Sequence, residues 1–235
     1  MNRLARWDYA TCLDELRKAL ASSPHDALIR RFYAQALSRE GRWEEAIAEG
    51  KRAQELDPLS VETNRGLGSI FYWAGRNDQA IRQFRKTIEL DPKDARLHDH
   101  LAEVYSRKGM YREAIAERQE YLSLSGDEEA ARELGRDFSD SGYHQAIKAL
   151  YRKTLAFMEE AAKYAYVSSI HFAVLHAQLG QNDKAFAWLE KAFEERQPWL
   201  GQLQFDPQFE PLRSDPCFSD LVRRIKEVGR RASEA

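Results

Sequence analysis

Six histidines and two cysteines are the side chains of this sequence best suited to metal binding or nucleophilic chemistry. Their spacing argues against both. His98 and His100 flank Asp99, but residues two apart on a helix point to different sides, so the pair does not converge on one ion. His171 and His176 stand five apart, which again suits one metal poorly. Cys12 and Cys217 form no C-x-x-C pair and lie near opposite ends of the sequence, excluding a zinc knuckle, a redox motif and a disulfide scaffold. There is no Gly-rich phosphate loop, no H-E-x-x-H, no G-x-S-x-G and no histidine beside a plausible nucleophile. The expectation is a protein without catalysis, metal or cofactor. Arg223, Arg224, Lys226, Arg230 and Arg231 could touch phosphate, but a charge run near a terminus reads first as a solvated helix face.

The elements that carry these residues follow from composition. With 235 residues, 43% of them apolar, the chain buries a substantial core. Basic and acidic residues number 36 and 38, a net charge of -2, so no global field gathers polyanions and nucleic acid is not the expected partner. No stretch approaches the roughly 18 uninterrupted apolar residues of a spanning helix. The opening Met1-Asn2-Arg3-Leu4-Ala5-Arg6-Trp7-Asp8 has no apolar run, so the expected setting is the cytoplasm, away from membranes.

Self-similarity organises the rest. Gly41, Gly75 and Gly109 recur at 34 residues, and Ala34, Gly68 and Ala102 precede them while Ala46, Ala80 and Ala114 follow. Leu56, Leu90 and Leu124 close each unit, with Asp57-Pro58 and Asp91-Pro92 as stops. Each unit is therefore a helix, a glycine turn, a second helix and a stop. Small residues mark where two antiparallel helices cross closely, and larger ones such as Tyr33, Leu37, Leu67, Phe71, Leu101, Tyr105, Ile47, Ile81 and Ile115 fill the surrounding space. Cys12 falls in the slot held elsewhere by alanine and reads as a buried, inert thiol, whereas Cys217 reads as more exposed. One hairpin cannot bury its own apolar face, so neighbours must stack.

This pattern resembles the tetratricopeptide repeat, with its W-x2-L-G-x2-Y, A-x3-F and P positions. Leu67, Gly68, Phe71, Ala80, Phe84 and Pro92 match it in the second unit, where Asn64 replaces the opening aromatic. Gly50 stands in place of the later aromatic in the first unit, and Arg118 and Gly126 depart from the pattern in the third. The resemblance implies an all-α fold, a right-handed α-solenoid of hairpins with a C-terminal capping helix. Its expected divisions are a partial repeat over 1–26 contributing only a second helix, three regular units over 27–126, an irregular hairpin over 127–163, a further hairpin over 164–196 with Ser168 as N-cap, and a proline-rich strap with a capping helix over 197–235. The strap should hold a short turn opened by Asp206-Pro207, and the last helix should run from Pro216 to about Val228.

Such repeats imply a concave groove formed by the first helices, which binds a protein or peptide. Helix-face positions put Arg31, Gln35 and Arg39, then Arg65, Ser69, Tyr72 and Trp73, then Asp99, Glu103 and Arg107 along it. Its upstream part is basic, which favours a carboxylate or an acidic segment, and Trp73 beside Tyr72 adds apolar contact area. The expected role is a non-catalytic interaction scaffold. Asp183 to Ala192, Pro198-Trp199-Leu200 and Pro211 to Pro216 also resemble the repeat tails of bacterial winged-helix regulators and serine/threonine kinases, so the alternative is a sensory or regulatory tail of a larger signalling protein. Another is a homodimer joined through the N-terminal half-repeat, whose Trp7, Leu13 and Leu16 would lack their usual neighbour.

Overall fold

A computed structural model of the chain describes residues 9–233, so Trp7 and the opening of the partial repeat lie outside the described residues. The described residues form two compact units, one spanning 15–147 and the other joining those up to Asp14 with those from Lys148 onward. All regular elements are helical, with no strand among the described residues.

In chain order the helices reaching into the first unit are α1 (Tyr9–Ser22), α2 (Ala27–Arg39), α3 (Trp43–Leu56), α4 (Val61–Trp73), α5 (Asn77–Leu90), α6 (Ala95–Arg107), α7 (Tyr111–Leu124), α8 (Glu128–Ser141) and α9 (Tyr143–Ala161). Local chemistry sets their ends. Asp26, Ser60, Asp94 and Asp127 each accept a backbone N–H of the first turn that follows, the hydrogen bond an N-terminal turn otherwise lacks. Gly41, Gly75 and Gly109 take φ of 74°, 73° and 72°, the left-handed region that side-chain-bearing residues avoid. The bend lets Arg42, Arg76 and Met110 donate their N–H to the carbonyls of Leu37, Phe71 and Tyr105 at 3.0, 2.8 and 2.9 Å, closing each first helix.

Stacking follows from the faces these ends expose. The first helices α2, α4 and α6 pack against their own second helices, and α3, α5 and α7 against the first helix that follows, burying Ala34, Ala46, Ala80, Ala102 and Ala114 almost completely. First helices also touch one another, α2 with α4 and α4 with α6. Leu13, expected to lack a neighbour, is buried, and Leu16 is half-buried. Cys12, expected to be buried, is half-buried instead, and Cys217 is exposed.

In the second unit α10 (Ser169–Gln178) and α11 (Asn182–Glu194) form a hairpin, followed by 3₁₀ turns at Pro198–Gln202 and Pro207–Leu212 and by α12 (Pro216–Ser233). The strap is thus more regular than its prolines suggest, because short 3₁₀ turns tolerate proline at their first positions. Its Leu200, Leu203, Phe209 and Leu212 enter one core with Ala173, Ala185 and Leu189 of the hairpin and Phe218, Leu221 and Ile225 of α12. The last helix runs past Val228 to Ser233. Asp206 caps its turn by accepting the N–H of Gln208 at 2.8 Å, as expected. Ser168 takes the N-cap position of α10, as expected, but its hydroxyl makes no capping bond and donates to Gln197 at 2.8 Å instead. That bond belongs to a knot in which Ser169, Gln197 and Tyr166 all donate to one carboxylate oxygen of Glu195, at 2.8, 2.6 and 3.2 Å.

Candidate protein-binding surface

Residues 34 apart occupy equivalent places on α2, α4 and α6 of the first unit. Arg31, Arg65 and Asp99 form one row, Gln35, Ser69 and Glu103 a second, and Arg39, Trp73 and Arg107 a third. Eight of these are half-buried, and Arg107 is exposed. Gly66 brings α4 close to α2, since a Cβ there would stand 3.4 Å from the Gln35 amide. Arg31 and Gln35 share with Gly50, Gly66 and Leu67 the walls of a narrow crevice between α2, α3 and α4.

Several of the expected groove residues are engaged within the fold. Tyr72 is buried at 7% exposure, with the Arg107 guanidinium 5.7 Å from its ring centre, so it does not join Trp73 as contact area. Its helix position turns inward once the next hairpin covers it. Asp99 is tied to Arg118 of α7 by an ion pair. Arg118 sits where the repeat pattern has an aromatic, and the aspartate balances the charge that substitution brings in. Arg65 lies 3.7 Å from Glu62, yet its Nε is buried with no hydrogen-bond partner. Trp73 is half-buried at the C-terminal end of α4, neither fully displayed nor tucked away.

The histidines separate as their spacing demands. His98 is buried and meets Glu117 through Nδ1 at 2.7 Å, whereas the His100 ring stacks on Phe84 at 5.4 Å between centres. In the second unit His171 is exposed and His176 is buried against Gln181 at 2.6 Å. Among the described residues no three His, Cys, Asp or Glu side chains gather into a metal-binding group, and no helix is long and apolar enough to cross a membrane.

Burial, and then the nearby Arg65 charge, push the His100 imidazole down from an ordinary 6.5 to about 4. The folded chain keeps this ring neutral while the unfolded chain takes up a proton below pH 6.5, so folding stability falls as pH drops through that window. We expect unfolding free energies from urea titrations at pH 7.5 and 4.5 to differ by on the order of 2 kcal/mol more in the wild type than in a His100→Phe variant, which keeps the stack without the proton. Equal pH dependence in the two would remove this role.

Sequence reasoning missed one recurring feature. Arg30, Asn64 and His98, each at the place of the opening aromatic, reach a second-helix residue 19 positions on: Arg30 to Glu49 at 2.5 Å, Gln83 to Asn64 at 2.9 Å, and His98 to Glu117 at 2.7 Å. Each of these three hairpins thus carries a polar rung at the place where the repeat pattern has an aromatic.

Two family models match the chain, one for tetratricopeptide repeats over residues 3–61 and one for TPR repeats over 68–109. No curated protein matches it in sequence. Among solved structures it is similar to PilW, a widely conserved type IV pilus biogenesis factor, at 16% identity and a TM-score of 0.54 over 87% of this chain and 90% of that one. It is also similar to a chain of the APC/C hetero-tetramer Cut9-Hcn1, at 16% identity and a TM-score of 0.60, over 94% of this chain but 47% of that one. A further neighbour, YrrB, a TPR protein with an unusual peptide-binding site, aligns at 20% identity over 80% of this chain and 96% of that one, with a TM-score of 0.48. Capped helices, glycine turns and small-residue crossings repeating every 34 residues, together with the two family-model matches, give the chain an all-α fold carrying tetratricopeptide repeats.

Proposed function

We propose that the chain is a non-catalytic interaction scaffold and that the inner side of α2, α4 and α6 holds its protein or peptide partner. The observation carrying this reading is on α4, where Arg65, its side chain 26% exposed, stands about two turns before the half-buried indole of Trp73. A partly exposed guanidinium favours an incoming carboxylate or carbonyl oxygen, and an indole supplies flat apolar area of the kind that dominates interface energetics. Arg31, Gln35, Arg39, Ser69, Glu103 and Arg107 extend the surface on either side. Tyr72 and Asp99 act within the fold, holding Arg107 and Arg118.

A photo-crosslinking side chain placed at Ser69 should capture a partner in the native host, identified by mass spectrometry. The Arg65→Ala, Trp73→Ala double variant should lower that capture by about tenfold or more with unchanged far-UV circular dichroism. Undiminished capture by the double variant would place the partner elsewhere on the molecule.

A further inference from the structure

Deepening that reading and resting on it, we infer that the α2 end of this surface receives an amphipathic helix with acidic flanks, seated on Leu28 and Phe32. In the later hairpins the matching places are Glu62 and Gly66, then Arg96 and His100. Glu62 lies within ion-pair reach of Arg65 and Arg96, Gly66 faces Gln35 of the preceding hairpin, and His100 stacks on Phe84 of the preceding hairpin. The second of these places therefore looks toward the previous hairpin in each case. On α2 the two places carry Leu28 and Phe32 instead, 53% and 43% exposed.

Apolar side chains four residues apart on a helix form a ridge, and such ridges seat in the grooves of another helix at the separation α2 keeps from α4. The site is thus shaped for a helix standing beside α2 as α2 stands beside α4. Charge selects its character. Helix α2 carries three arginines and no acid. Arg30 is bound to Glu49 and to the Pro24 carbonyl, but Arg31 has no ion pair among the described residues and lies 4.6 Å from the Phe32 ring centre, at the edge of the apolar ridge. A carboxylate one turn from the apolar stripe of an incoming helix would meet that guanidinium, with Arg65 next in the same row.

A fluorescein-labelled synthetic helix of about four turns, with leucines on one face and glutamates flanking them, tests this by fluorescence anisotropy against the full chain. It should bind at least about tenfold more tightly than the same peptide with lysines replacing the glutamates. Phe32→Ser should weaken it about tenfold, and Arg31→Glu should reverse the preference between the two peptides. Phe32 is exposed and Arg31 half-buried, and an unchanged thermal midpoint certifies each variant as folded. Failure of the acidic peptide to bind, equal binding of the two peptides, or full binding by Phe32→Ser would overturn the inference. So would a dimer in sedimentation that Phe32→Ser abolishes, which would make a second copy the occupant. Loss at Phe32→Ser with full binding by the Arg65→Ala, Trp73→Ala variant would keep the helix site and remove the wider inner surface. The opposite pattern would remove the helix site alone.

Discussion

Replacing Asn64 with leucine is expected to lower folding stability by about 2 to 3 kcal/mol, although the two side chains are close in size. Asn64 is fully buried and uses its whole amide. Its Nδ2 donates to the carbonyls of Pro58 and Ser60 at 2.9 and 2.8 Å, and its Oδ1 accepts from Gln54 and Gln83 at 2.5 and 2.9 Å. Leucine leaves these partners unequally placed. Pro58 is exposed, so its carbonyl finds water, and the Ser60 carbonyl keeps the Asn64 backbone N–H at 3.0 Å. Gln54 still reaches Gln83 at 3.1 Å. The Gln83 amide, 8% exposed, loses the acceptor its N–H had. Stranding that donor is the main cost, and untethering the α3–α4 loop adds to it. Adding Gln83→Leu removes the stranded group, so the double variant should recover about 1 kcal/mol relative to the sum of the single losses. Urea unfolding followed by far-UV circular dichroism reads both numbers. A loss below about 0.5 kcal/mol for Asn64→Leu would mean that the network carries no net stability.

The same rung shows how far the sequence could be read. Turns and crossings were legible because one residue type answers each demand: glycine for a left-handed bend, alanine or glycine for a close crossing. The rungs were written at the same 34-residue step, Arg30, Asn64 and His98 facing Glu49, Gln83 and Glu117, but a pattern that names an aromatic at this place registers only that it is missing. Pairing complementary polar residues 19 apart would have found all three. Tyr72 was harder. Whether a residue near the end of a first helix faces out depends on the following hairpin, and Arg107, which lies over the ring, is 35 residues away. The Asp99–Arg118 pair lies between. Arg118 stands out as a departure from the repeat, yet only the packed hairpin shows that its charge is answered by a residue assigned to the groove.

The crossing of α4 and α5 supports the sharpest of the stability tests. Gly68→Ala would ordinarily stabilise a helix interior by about 1 kcal/mol, since alanine is the best helix former and glycine among the worst. Here a Cβ would stand 2.6, 2.8 and 3.0 Å from three atoms of the Phe84 ring. That ring has no exposed surface and is stacked on His100, so it cannot swing into solvent to make room. What glycine accommodates at this crossing is therefore the ring of Phe84. In the first hairpin the equivalent pair is inverted in size, with Ala34 opposite Gly50, where Leu67 of the next hairpin fills the space at 3.0 Å from a Cβ built there. Overpacking should outweigh helix propensity, and Gly68→Ala should cost about 2 kcal/mol net. Phe84→Leu alone should also destabilise, by about 1 to 2 kcal/mol, through lost contact area and the cavity beside His100. In that background the clash is gone, and Gly68→Ala should turn neutral or favourable by up to about 1 kcal/mol. The reversal of sign is the decisive readout, because an effect of glycine on the unfolded chain alone would shift both backgrounds equally.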